Sequence, residues 1–140
     1  MHRTQFEVEF RALRIIWRRC AIVRSRLGNV RPIGSINPAE ETEEQRTARF
    51  VEARNKFIEA HHELVAALDH NSPFIDQKVF EAVHALRSRT TREKIDLQIE
   101  QPFTSTWFDR GDTALSDVAM LTYRVSTAIR ERVESLVISE

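Results

Sequence analysis

The sequence predicts an all-α fold: an up-down-up-down four-helix bundle with long, unequal helices. Three observations predict it. Gly and Pro number only three and four in 140 residues, while charged residues make up 30%, a composition that suits long helices rather than strands and turns. Apolar residues recur at steps of three and four through most of the chain. The Gly and Pro residues gather near 28–38, 73, 102 and 111 and divide the chain into four periodic stretches. At this length residues 1–140 are read as one domain with a sizeable core.

The first helix is expected over residues 4–28. Phe6, Phe10, Leu13, Trp17, Cys20 and Leu27 form its stripe, with Arg24 in the one gap, and Ile16 and Val23 widen it. Val8, Ile15 and Ile22 form a second apolar line, seven residues apart. Gly28-Asn29 supplies a C-terminal stop. The helix is basic, with Arg3, Arg11, Arg14, Arg18, Arg19, Arg24 and Arg26 against Glu7 and Glu9. Arg24, Arg26 and Arg31 are expected to pair with the acidic cluster Glu40, Glu41, Glu43 and Glu44.

The second helix is expected from Asn37 to His70, roughly 50 Å long at about 1.5 Å per residue. Asn37 is its N-cap, Pro38 takes the first helical position, and Glu40 completes a reciprocal cap. Phe50, Phe57 and Leu64 ladder along it, flanked by Ala53, Ala60 and Ala67. Asn71-Ser72-Pro73 makes a turn, with Phe74 and Ile75 plugging the bundle end. The third helix spans about Asp76 to Ile99 on Val79, Phe80, Val83 and Leu86. Its pattern breaks at Arg87, Arg89, Thr90, Thr91, Arg92 and Lys94, and the alternation from Ile95 to Ile99 also fits a short extended piece. Residues 101–112 form a loop anchored by Phe103, Trp107 and Phe108. The fourth helix begins at Thr106 or Asp112 and carries Leu115, Val118, Val125, Ile129, Val133 and Leu136, with Thr122 in its gap. Trp17, Phe50, Phe57, Phe80 and Ile129 are expected to share the core.

Several functional classes find no support in the sequence. The net charge is zero, so no global field draws the chain to nucleic acid or membrane. No apolar run approaches the roughly eighteen residues of a membrane span, and no small-residue cleavage site follows an apolar N-terminal core. A single cysteine, Cys20, makes no internal disulfide and reads as a buried thiol in a reducing, cytoplasmic setting. There is no Gly-rich phosphate loop, zinc-type Cys cluster or nucleophile elbow, and no cofactor is expected. Arg110-Gly111-Asp112 reads as a chance adhesion tripeptide.

Two spacings bear on chemistry. Glu59-x-x-His62 and Glu81-x-x-His84 have the spacing by which ferritin-like bundles hold metal. Against this, at about 100° per residue Glu59 and Glu81 point away from their helices' apolar stripes. Arg54-Asn55 followed by His61 resembles the signature of the HEPN ribonucleases, which are also small α-bundles. That resemblance implies metal-independent RNA cleavage, with Arg54 and His61 handling phosphate charge and proton transfer.

The first helix (Phe6-Glu7-x-Glu9-Phe10-x-Ala12-Leu13-Arg14-x-x-Trp17) and the following Arg31-Pro32 resemble helical segments of uncharacterised bacterial proteins, some of them membrane-anchored. This resemblance implies no activity. The sequence therefore favours a non-enzymatic interaction or scaffolding module. A homodimer contact or partner protein would cover Val8, Ile15 and Ile22, with Arg11, Arg18 and Arg19 at the rim. Peripheral membrane contact through the first helix is a further reading, and nucleic acid is a weaker one.

Overall fold

The computed structural model describes residues 3–31 and 41–138. Four helices carry the described residues: α1 (Arg3–Val30), α2 (Glu43–Asn71), α3 (Gln77–Ile99) and α4 (Ser105–Ile138), with a 3₁₀ turn at Ser72–Phe74 between α2 and α3. Each helix packs on its neighbours in sequence, and α4 closes the ring against α1. Long-range ion pairs fix the directions. Glu9 at the start of α1 meets Arg132 near the end of α4. Arg31, just past α1, meets Glu93 and Glu100 at the end of α3 and the Trp107 carbonyl at the start of α4. That is the up-down-up-down bundle. No helix among the described residues is long and apolar enough to cross a membrane.

The core face of α1 is Leu13, Ile16, Cys20, Val23, Leu27 and Val30. This period runs through Ile16 and Val23 and places Trp17 about 100° from Ile16, so Trp17, expected in the core, stands exposed. Phe50 and Phe57 are buried, while Phe80 and Ile129 are partly buried against the cluster. Gly28 does not stop α1. Leu27 and Val30 share the buried face, and the helix closes with Arg31 N–H donating to Leu27 C=O at 2.9 Å.

The start of α2 is also corrected. Thr42 is the N-cap, its hydroxyl accepting from Gln45 N–H while the Gln45 side chain accepts from the Thr42 N–H. The cap expected at Asn37, with Pro38 and Glu40, lies outside the described residues. Phe74 is exposed, so of the expected plug only Ile75 packs on the core.

The break in α3 is one of composition and not of structure. Thr90 and Thr91 both donate their hydroxyls back to the Arg87 carbonyl, at 3.1 and 2.8 Å. Their polar groups are thereby satisfied inside a continuous helix, and no extended piece forms over 95–99. Helix α4 starts at Ser105, close to the earlier of its two expected starts. Thr104 caps it, its hydroxyl accepting from Trp107 N–H at 3.1 Å, and so Gly111 lies inside the helix.

Candidate interaction surface

The outward side of α1 departs from a simple amphipathic helix. Val8 is 44% exposed, Phe10 37%, Ile15 41% and Trp17 38%. At about 100° per residue, Phe10 and Trp17 lie along one edge of the outward face and Val8 and Ile15 along the other, with Arg11, Arg14 and Arg18 between. Phe6 stacks on Phe10 with ring centroids 5.9 Å apart. Among the described residues these three arginines form no ion pair. Arg3 is paired with Glu7 at 3.2 Å and Arg19 with Glu63 of α2 at 2.7 Å. The helix is thus neutralised at its start and along its α2 side, and left positive on its outward face.

This geometry revises the expected contact line. Val8 and Ile15 stand exposed, but Ile22 packs partly against the core. Arg11 and Arg18 lie on the surface, but Arg19 is engaged across the α1–α2 seam. The aromatic edge of Phe6, Phe10 and Trp17, assigned by its spacing to the bundle interior, faces outward instead. The expected pairing of Arg31 with the acidic cluster is corrected too, while Glu40 of that cluster lies outside the described residues. Arg31 points into the bundle, and Glu41 is held by Arg49 at 2.8 Å, which keeps the Glu41 carboxyl below the usual carboxylate range.

Arg31 centres a buried polar knot. Its Nε donates to one Glu93 oxygen at 2.9 Å, one Nη to the other at 3.2 Å, and the second Nη to the Trp107 carbonyl at 2.8 Å. Glu100 accepts a fourth bond at 3.2 Å and is shared with Arg110. The guanidinium also lies 5.2 Å from the centroid of the Trp107 ring. Burial pushes the Glu93 carboxyl upward and the adjacent Arg31 charge opposes that rise. Gly111, the middle of the supposed adhesion tripeptide, is buried against the Arg31 stem. Arg31 and Glu93 are closed to solvent, Arg110 is exposed, and together these groups join α1, α3 and α4.

Arg54 and His61 do not form one exposed site. They lie two helical turns apart, about 10 Å along α2. The Arg54 guanidinium lies 5.7 Å from the Phe50 ring centroid. His61 is buried, with Nδ1 2.8 Å from Thr90 Oγ. Its Nε2 lies 3.4 Å from Thr91 Oγ. Burial, then the nearby His62, Lys94 and Arg87 charges, lower its pKa to about 4.

The four residues with ferritin-like spacing all face solvent. His62 accepts from Lys94 at 3.0 Å, His84 from Arg87 at 2.7 Å, and Glu81 accepts from Gln77. With Glu59 they do not converge: among the described residues no three His, Cys, Asp or Glu side chains lie together in a metal-holding group. Cys20 is buried as expected, and burial pushes its thiol up to about 12.

No family model, curated protein or solved structure matches the chain. The surface is therefore read from its own chemistry.

Proposed function

We propose that this protein is a non-enzymatic helical interaction module that docks a partner protein on the outward face of α1. One observation carries the reading: four large apolar side chains stand exposed along the two edges of the outward face of α1, with three arginines between them that have no ion-pair partners among the described residues. Single exposed apolar residues need no explanation, but two apolar edges flanking a charged centre on one helix fit a contact surface. The buried polar groups support the same reading. Arg31, Glu93, His61 and Thr90 are spent on joining helices. A second copy is the weaker partner, because a two-fold contact through this face would bring Arg11, Arg14 and Arg18 against their own copies.

The test is a photo-crosslinking amino acid placed at Trp17 or Ile15 in the source cells. A discrete adduct is expected, and Phe10→Glu should remove it while leaving helicity and the melting transition intact. Crosslinking equal in wild type and variant, or none at either position, would sink the proposal.

A further inference from the structure

We infer that the outward face of α1 seats a partner helix whose apolar stripe is bordered by acidic residues. This rests on the interaction reading and names the partner's chemistry. Trp17 is the pivot of the argument. It lines a hollow with Phe10 and Arg14, and a second one with Gly28 and, from α4, the edge of the buried Thr122. The two hollows share Trp17 and follow one another along α1. A Cβ added at Gly28 would meet nothing within 4 Å, so side chains can enter there.

Charge selects among occupants. Arg14 and Arg18 border the first hollow and Arg24 the second, and among the described residues none of the three has an ion-pair partner. The acid in the first hollow, Glu7, is paired with Arg3. Carboxylates beside an apolar stripe complete this arrangement, whereas basic residues there oppose three unpaired guanidinium groups. A flat anionic bilayer would reach the outermost arginines and leave the hollow beside Trp17 and Gly28 unfilled. A helix with side chains on one ridge fills it.

The experiment uses two helical peptides of about five turns, matched in a leucine stripe and bordered by Glu in one and Lys in the other. It adds phosphatidylcholine vesicles containing about one-third phosphatidylserine. Trp107 is buried and Trp17 exposed, so iodide quenching of tryptophan emission reports on Trp17. The Glu peptide is expected to shield Trp17 and bind about tenfold or more tighter than the Lys peptide. Joint Arg14→Glu and Arg18→Glu should invert that preference, and Gly28→Phe should abolish binding. Ser25→Phe, at an exposed position, serves as the second blocking variant if Gly28→Phe does not fold. Equal binding of the two peptides, binding indifferent to the blocking variants, or shielding by vesicles but not by the Glu peptide would each overturn the inference. A cellular adduct at Trp17 whose crosslinked segment is basic or neutral would overturn it as well, while leaving the module reading standing.

Discussion

Arg31 and Glu93, 62 residues apart in sequence, meet as a bidentate ion pair with side chains 0% and 1% exposed. Two charges out of water are costly, and their attraction offsets that cost only while both partners and their remaining hydrogen bonds stay in place. Glu93→Ala is therefore expected to cost about 3–5 kcal/mol in denaturant melts, because it leaves a buried guanidinium facing a gap. The joint change Arg31→Met with Glu93→Leu should recover most of that loss. A single variant that melts within about 1 kcal/mol of wild type would mean the pair is hydrated in solution.

Gly111 tests the same knot from the other side. In a helix interior, Gly→Ala ordinarily stabilises by up to about 1 kcal/mol. Here the new Cβ would lie 2.9 Å from Arg31 Cδ and 3.4 Å from its Cβ. The Arg31 side chain is locked by its hydrogen bonds and has little room to retreat. Overpacking of this kind costs about 1–3 kcal/mol, so Gly111→Ala should destabilise. Stabilisation would show that the Arg31 stem moves freely.

Much of this architecture is legible in the sequence, and the misreadings have physical causes. The all-α class and the four stretches follow from periodicity and scarce breakers. In α1 the large side chains Phe10 and Trp17 define one line of alternating steps of four and three, and the buried residues define another. The buried set, Glu9, Ala12, Leu13, Ile16, Cys20, Val23, Leu27 and Val30, has the same spacing along a line rotated towards Ile16 and Val23, so spacing alone does not choose between them. The polar sites were obscured because the buried period runs through polar residues. In α3 the buried positions are Val79, Val83, Leu86, Thr90, Glu93 and Leu97, one unbroken period in which Thr90 and Glu93 occupy core positions. Following that period through polar residues would have marked Glu93, Thr90 and, in α1, Glu9 as buried. Their partners Arg31 and Arg132 come from other helices, and no short-range pattern reveals them.

A pair of substitutions tests the rotated face of α1. Phe57 is fully buried in the cluster, and Phe57→Ala should cost about 3–5 kcal/mol. Trp17→Ala removes a side chain that is 38% exposed and should cost about 1 kcal/mol or less. Equal losses in urea melts would place Trp17 in the core and remove the surface on which the proposed function stands.

His61 gives the bundle an acid-sensitive joint. Its ring is buried between α2 and α3, with Nδ1 2.8 Å from Thr90 Oγ. His62 on α2 and Lys94 and Arg87 on α3 add positive charge around it, and its pKa is lowered to about 4. In the unfolded chain a histidine titrates near 6.5. Above that value both states are neutral, and the group leaves stability independent of pH. Between about 6.5 and 4 the unfolded chain takes up a proton that the folded protein refuses, so stability falls as pH falls through this window. The loss is expected to reach roughly 2 kcal/mol, after discounting for partial solvation of the ring. His61→Gln keeps a side chain able to donate to or accept from Thr90 and removes the titration, so its stability should be flatter between pH 6.5 and 4. Carboxylates titrate mainly at and below the lower end of this window, so the upper part isolates the histidine. Urea melts at half-unit pH steps would decide it, and a variant with the same slope as wild type above pH 5 would show that His61 is not the group responsible.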